Sequence, residues 1–151
     1  MKIIFLDIDG VLNSSNFLFK TKGIIVDPND LIDKDNVSIL NSITDATNAK
    51  IVISSDWRHG FIGNFNKLKS VMKKHGITGD IHGMTHTASD NRGKQILDWI
   101  NDSYTKIDSY IVLDDNSTDV DKVDRRLVRT NSIYGLTLDD AKIAIAMLGK
   151  M

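Results

Sequence analysis

The fold of this chain is decided by the stretch Lys2-Ile3-Ile4-Phe5-Leu6-Asp7-Ile8-Asp9-Gly10-Val11-Leu12. Its apolar run, residues 3–6, is typical of a buried parallel strand, and it breaks directly into two carboxylates, a glycine and a turn. The aspartates therefore lie at the carboxyl end of a strand, the edge at which open α/β sheets bind ligands. Two acids this close repel each other unless a cation or a proton intervenes, and aspartate oxygens are usual Mg²⁺ ligands. The stretch thus predicts a magnesium and phosphate site.

Further apolar runs end in polar residues in the same way. Residues 50–53 lead into Ser54-Ser55-Asp56-Trp57-Arg58, and residues 109–113 lead into Asp114-Asp115. Shorter runs at 81–84 and 127–128 predict a third and a fifth strand. Helical patterns are found at about 35–47, 64–75, 92–100 and 137–148, the first with Asn48 as a left-handed stop and the last opened by Thr137 with Asp140 as a variant of the capping box. The pattern predicts strands alternating with helices.

Two arginines could bind an anion near these strand ends. The guanidinium of Arg58 has a fork geometry that suits phosphate oxygens, and Trp57 beside it could stack on a base or shield the site. The plainer interpretation makes Trp57 a core residue and Arg58 a surface residue. Arg92 stands at the start of a predicted helix, where the partial positive charge of the amino end disfavours a cation. A neighbouring anion would compensate for that placement.

The segment Asp7-x-Asp9-Gly10-Val11-Leu12 after an apolar strand resembles the first motif of the haloacid dehalogenase (HAD) superfamily, most of whose members are Mg²⁺-dependent phosphohydrolases. The apolar run into Ser54 is similar to the second motif, in which a hydroxyl holds the transferring phosphoryl group. Ser55, one residue on, is the alternative for that role.

The later motifs of the superfamily have counterparts in the same order. Arg92-Gly93-x-x-Ile96 resembles the third motif, whose basic residue neutralises the nucleophile and phosphate, and Lys94 is the alternative base. The pair Asp114-Asp115 at the end of a strand resembles the fourth motif, which completes the Mg²⁺ site. Asp114 would be a direct ligand, and either Asp115 or Asp119 would hold a metal-bound water.

The resemblance implies a role for each of these residues. Asp7 would attack the phosphorus and become a transient aspartyl phosphate. Asp9 would protonate the leaving oxygen and then activate the hydrolytic water. The implied Mg²⁺ site consists of Asp7, the backbone carbonyl of Asp9, Asp114 and Asp115. The implied phosphate-binding residues are Ser54, Ser55, Arg58 and Arg92 or Lys94.

The implied fold is a three-layer, doubly wound α/β domain over residues 1–151, with a mainly parallel five-stranded sheet and no large cap. In this superfamily a β-hairpin flap follows the first motif, and residues 13–26 resemble one in position and length. The open crevice suits a large substrate such as a polynucleotide end or a phosphoprotein, or requires a partner as a lid. The pattern Ser-Ser-x-Trp-Arg, with Arg-Gly-x-x-Ile-x-x-Trp-Ile and Gly135-Leu136-Thr137, resembles small HAD domains of RNA-repair systems.

The composition sets wider limits. With 151 residues, a formal charge of -1 and 26% charged residues, the chain has an ordinary globular composition and no overall attraction to nucleic acid or anionic membranes. It has no cysteine, which excludes disulfides and thiolate chemistry. No apolar run approaches the ~20 residues of a membrane span, so we expect a soluble, cytoplasmic protein. Its oligomeric state stays open.

Other functions fit parts of the pattern. A non-catalytic phosphate or Mg²⁺-binding module could use the same pocket, although it would not need the proton-transferring acid Asp9. A phosphotransferase such as a mutase, or a phosphatase of small nucleotides, would use the same residues on another substrate. A receiver domain has its acidic and basic residues in a different order, and no Gly-x-x-x-x-Gly-Lys-Ser/Thr loop exists here for nucleotide hydrolysis.

Overall fold

The computed structural model describes residues 1–86, 88–116 and 118–149, and strands and helices alternate along these ranges. The strands are β1 (Lys2–Leu6), β2 (Lys50–Ile53), β3 (Ile81–Met84), β4 (Ser109–Asp114) and β5 (Leu127–Arg129). The helices are α1 (Ser15–Thr21), α2 (Lys34–Thr47), α3 (Phe65–Lys74), α4 (Arg92–Asp102) and α5 (Leu138–Leu148). Short 3₁₀ segments lie at Pro28–Asp30, Asp56–Phe61 and Asp121–Arg126.

The strands form one parallel sheet in the order β3-β2-β1-β4-β5. β1 lies at its centre and is buried on both faces, which explains its unbroken apolar run. Ile4 and Leu6 pack with α2, α3 and α5 on one face, whereas Ile3 and Phe5 pack with α4 and the segment 121–126 on the other. The predicted three-layer, doubly wound α/β fold is therefore confirmed.

The ends of two helices follow the local signals in the sequence. Asn48 ends α2 in the left-handed conformation, with φ 54°. Thr137 begins α5 with a reciprocal capping box, in which its hydroxyl accepts from the Asp140 N–H and the Asp140 carboxylate accepts from the Thr137 N–H. Both predictions are confirmed.

The predicted β-hairpin flap at 13–26 is wrong, because this segment contains the helix α1. Ser14 caps α1 by accepting a hydrogen bond from the Phe17 N–H at 3.0 Å, so the serine acts as a helix start where a turn was expected. α1 buries none of its residues, and Phe19 is 82% exposed. Between β1 and α2 the chain forms only α1 and the turn Pro28–Asp30, and no inserted cap domain occurs in the described ranges.

None of the helices in the described part of the chain combines the length and apolarity needed to cross a bilayer.

Candidate active site

The register of the sheet brings the first polar residues after three strands side by side. Leu6 pairs with Ile53 of β2 and with Leu113 of β4. The next residue along each strand is Asp7, Ser54 or Asp114. Backbone hydrogen bonds continue the ladders into this row, from the Asp7 N–H to the Leu113 carbonyl (2.9 Å) and from the Ser54 N–H to the Leu6 carbonyl (2.8 Å). The row lies where the strand order reverses, at the position that binds ligands in open α/β sheets.

Three carboxylates meet at this position. Asp7, Asp114 and Asp115 each offer an oxygen, and these oxygens lie within 4.8 Å of one another. Asp7 and Asp114 are buried and Asp115 is partly buried. Such a cluster of hard oxygen donors fits a divalent cation, which would also relieve the mutual repulsion of the acids.

Gly10 provides the space for this cluster. It has a φ of 79°, and a Cβ at this position would lie 2.3 Å from Oδ2 of Asp115. Both the left-handed backbone and the close approach therefore require glycine. The Thr130 hydroxyl donates to the Gly10 carbonyl at 2.8 Å and fixes the turn.

Arg92 lies between the carboxylates. Its Nη1 donates to Oδ2 of Asp114 at 2.8 Å and lies 3.3 Å from Oδ2 of Asp7, while its Nη2 lies 3.1 Å from Oδ1 of Asp56. Lys94, the alternative base, instead pairs with Asp98 at 2.6 Å on the exposed side of α4. Of the two candidate bases, the structure therefore brings only Arg92 into the site.

These neighbours change the acidity of the site. Burial, and next the charge of Asp114, raise the pKa of Asp7 to about 7, even though the charge of Arg92 acts in the opposite direction. Burial and Asp114 also raise the pKa of Asp115. Burial would lower the pKa of Arg92, but the charges of Asp7 and Asp114 raise it. Arg92 thus stays cationic, while burial and the neighbouring acid oppose the ionisation of Asp7.

Ser54 and Ser55 have different surroundings. The Ser54 hydroxyl is buried and has no hydrogen-bond partner among the described residues, which is an unfavourable state that a bound polar ligand would relieve. The Ser55 hydroxyl accepts from the Trp57 N–H at 3.3 Å and begins the 3₁₀ segment Asp56–Phe61. It also acts on Asp7 to lower the pKa of that carboxyl.

Arg58 is not a surface residue, as the plainer interpretation had it, because it is only 1% exposed. Its Nη1 donates to the hydroxyl of Thr85 and to Oε1 of Gln95, the latter at 3.0 Å. The guanidinium thus donates to two uncharged side chains, while its buried Nε has no hydrogen-bond partner among the described residues, and the role of Arg58 in phosphate binding stays a prediction. Thr85, directly after β3, and Gln95 in α4 supply these uncharged acceptors, which the sequence around Arg58 does not reveal.

Asp9 and Asp119 lie apart from the carboxylate cluster. Asp119 is exposed, and its carboxylate accepts from the side chain of Asn116 at 3.3 Å. Of the two alternatives for the fourth acid, Asp115 is therefore the one in the cluster. The exposed carboxylate of Asp9 accepts through Oδ1 from Nδ2 of Asn13 (2.9 Å) and from Nε1 of Trp57 (3.1 Å).

Sequence reasoning missed two residues of this site. The sequence gives no sign of the role of Asn13, whose buried amide binds the carboxylate of Asp9 four residues before it. Asp56 was not singled out, although it pairs with Arg92.

A cavity of about 330 Å³ opens beside Asp9, and Asp56 and Trp57 belong to its walls.

The model of one protein family, described as the HAD domain in Swiss Army Knife RNA repair proteins, matches residues 3–141. The chain belongs to this family. The resemblance to HAD domains of RNA-repair systems is thereby confirmed, and the family indicates an activity of the phosphohydrolase type. HAD domains typically use Mg²⁺, and Asp7, Asp114 and Asp115 are a group that could bind a metal ion. No curated protein matches the chain significantly.

Proposed function

We propose that this HAD domain is a Mg²⁺-dependent phosphomonoesterase that works through an aspartyl phosphate on Asp7, with polynucleotide ends or other large phosphorylated molecules as substrates. The observation that carries the proposal is the meeting of Asp7, Asp114 and Asp115 at the carboxyl edge of the sheet, where the Arg92 guanidinium pairs with Asp7 and Asp114. The family gives independent support for chemistry on phosphate esters.

Asp7, Asp114 and Asp115 would hold the ion, together with the backbone carbonyl of Asp9 that the resemblance to the superfamily implies. When bound, Mg²⁺ neutralises the acids and polarises the phosphoryl group. Because the pKa of Asp7 is about 7 without the ion, a nearby divalent cation would favour the ionised, nucleophilic form.

The chain's own residues would then carry two steps. In the first step, the Asp7 carboxylate forms a bond to phosphorus, the bond from phosphorus to the leaving oxygen breaks, and Asp9 gives its proton to that oxygen. In the second step, Asp9 takes a proton from water as the water oxygen attacks phosphorus, which releases phosphate and restores Asp7. The unpartnered Ser54 hydroxyl and the Arg92 guanidinium would hold the phosphoryl oxygens.

Two features favour large substrates. Asp9 is exposed, so the proposed proton donor is open to solvent on the side from which a leaving group would approach. The described residues also contain no cap domain that would enclose a small molecule. A polynucleotide end could therefore reach the carboxylates without an opening motion.

The test compares 3′- and 5′-phosphorylated oligonucleotides with small sugar phosphates, each with Mg²⁺ and with a chelator. We expect Mg²⁺-dependent release of phosphate, with the highest kcat/KM on an oligonucleotide. Asp7→Asn should abolish turnover, and Asp9→Asn should lower kcat by about 10²–10⁴-fold. Asp98→Asn, a surface acid on α4, is the matched control and should retain full activity.

A second pair of variants tests the basic residue. Arg92→Gln should lower kcat/KM by about 10²-fold or more because it removes a charged donor at the developing charge, whereas Lys94→Gln should stay within about twofold of the wild type. Undiminished hydrolysis in Asp7→Asn would refute the covalent mechanism. Binding of phosphorylated ends without turnover would favour the alternative of a non-catalytic module, and transfer of phosphate to an alcohol would favour a phosphotransferase.

A further inference from the structure

The cavity beside Asp9 is lined by residues that the phosphoryl-transfer steps do not use. Its lining includes Trp57, Phe61, Pro28 and Asn29 together with two acidic residues, Asp9 and Asp56. None of the clustered carboxylates Asp7, Asp114 and Asp115 lines it. The cavity is thus a separate space that shares only Asp9 with the proposed chemistry.

Trp57 and Asn13 fix one oxygen of Asp9. Oδ1 accepts both the indole N–H of Trp57 and the amide N–H of Asn13, whereas Oδ2 accepts no hydrogen bond from the residues that the structure describes. The Asn13 amide is itself held, because its Oδ1 accepts from the Gly10 N–H at 3.1 Å and its Nδ2 also donates to the Leu31 carbonyl at 2.9 Å. With two donors fixed on Oδ1, Oδ2 is the oxygen that Asp9 can present to a leaving group.

The segment that contributes Pro28 and Asn29 to the cavity is anchored. The Asn29 carbonyl lies 2.7 Å from Nε2 of His75, at the end of α3, and Asp30 pairs with Lys74 at 3.0 Å. The other wall is held through Asp56, whose carboxylate pairs with Arg92. Because these contacts hold both segments without a ligand, less ordering is needed when a ligand binds, which lowers the entropic cost of binding.

We propose that this cavity binds the leaving group of the substrate, that the leaving group is a nucleoside, and that Trp57 both stacks on the base and positions Asp9. The proposal rests on the phosphatase function proposed above, because the acid that protonates the leaving oxygen must contact the leaving group. The cavity begins at that acid.

The chemistry of the walls selects the class of ligand. The indole of Trp57 suits a flat, neutral group, and stacking of a base on an aromatic side chain is tolerant of base identity. The polar groups of Asp9 and Asp56 are acceptors when ionised, so they suit a ligand with hydroxyl or amino donors, as a ribose or a base has.

The first experiment separates stacking from positioning. Adenosine 5′- and 3′-monophosphate are compared with ribose 5-phosphate, which has no base, in the wild type, Trp57→Phe and Trp57→Leu. Because a stacked base is bound about tenfold or more tightly, we expect Trp57→Leu to raise KM for at least one of the nucleotides by that factor and to leave KM for ribose 5-phosphate within about twofold. Trp57→Phe should keep the nucleotide KM. Trp99→Phe, at the other tryptophan of the chain, is the control.

A comparison of kcat on two kinds of substrate tests whether Trp57 positions Asp9. Trp57→Phe loses the N–H that Asp9 accepts, so kcat should fall about tenfold for nucleotides, whose alkoxide leaving group needs a proton. It should change little for p-nitrophenyl phosphate, whose leaving group needs almost none. An equal loss on both substrates would overturn the positioning role, and an unchanged nucleotide KM in Trp57→Leu would overturn the stacking role.

A binding measurement separates this proposal from the phosphatase function. In Trp99→Phe, Trp57 is the remaining tryptophan, and we expect unphosphorylated adenosine to quench its fluorescence saturably, with ribose as the negative control. Quenching without hydrolysis of any phosphomonoester would refute the phosphatase and retain the nucleoside site. Hydrolysis without quenching and without preference for nucleotides would refute the nucleoside site and retain the phosphatase.

Discussion

Asp7 is the residue in which the conflict between folding and function is most direct. Its carboxyl is buried beside Asp114, which raises its pKa from 3.8 to about 7. A buried acid of this kind is stable when protonated, yet the proposed chemistry needs it ionised. Arg92, 3.3 Å away, offsets only part of this penalty. A divalent cation would supply the remaining stabilisation that the ionised carboxylate needs.

This conflict predicts how the stability of the metal-free protein depends on pH. Between pH 3.8 and about 7 the folded protein binds more protons at Asp7 than the unfolded chain, so ionisation of this group lowers the free energy of unfolding as the pH rises. Asp7→Asn removes the titration. We therefore expect the stability of Asp7→Asn relative to the wild type to increase from pH 4 to pH 7.5, measured by urea unfolding in chelator.

Asp98→Asn serves as the control in the same experiment, because Asp98 lies on the surface of α4 and pairs with Lys94. Parallel stability curves for Asp7→Asn and the wild type would mean that Asp7 titrates normally in the folded protein.

At the scale of elements, the turn after β1 links Asp7 in the carboxylate cluster to Asp9 beside the cavity. It positions Asp7 at the strand end, turns through Gly10 and returns Asn13 to Asp9. α1 then begins at Ser14, so the segment expected to form a flap is a capped helix. The turn is therefore a rigid part of the site, held by Thr130 and the Leu31 carbonyl.

Gly10 allows a prediction about this turn. Gly10→Ala places a Cβ against the Asp115 carboxylate in addition to straining the backbone. A Cβ at Gly23, whose φ is 78°, would lie more than 4 Å from every described residue other than its chain neighbours, so Gly23→Ala only strains the backbone. We expect urea unfolding to show a loss of about 1 kcal/mol for Gly23→Ala and about 3 kcal/mol for Gly10→Ala.

The two variants should also differ in metal binding. Gly10→Ala should weaken Mg²⁺ affinity, measured by calorimetry, because Asp115 must move, and Gly23→Ala should leave it unchanged. Equal effects of the two substitutions on stability and affinity would mean that Asp115 is not held against Gly10.

For the molecule as a whole, the positions of strand ends were predictable from sequence, whereas contacts between distant side chains were not. Buried parallel strands require continuous apolar runs, so each break in such a run marks the edge of the sheet and places Asp7, Ser54 and Asp114 there. The bond between Trp57 and Asp9 joins residues 48 positions apart, and the burial of Arg58 depends on Thr85 and Gln95. No local pattern carries that information.

The cluster of Asp7, Asp114 and Asp115 predicts that Mg²⁺ stabilises the whole fold. A cation that binds only the folded state raises the free energy of unfolding, by about 2.7 kcal/mol at 100 times its Kd. For a chain of this length that corresponds to an increase in Tm of roughly 5–10 °C. Because the ion must displace the proton of Asp7, the increase should be larger at pH 8 than at pH 5.5.

Thermal unfolding in Mg²⁺ and in chelator measures this effect. Asp114→Asn should lose most of the increase, because it removes a buried ligand shared with Arg92, while Asp98→Asn should keep it. A Tm that is the same in Mg²⁺ and in chelator at both pH values would show that the three carboxylates do not bind the ion, since a ligand without preference for the folded state cannot stabilise it.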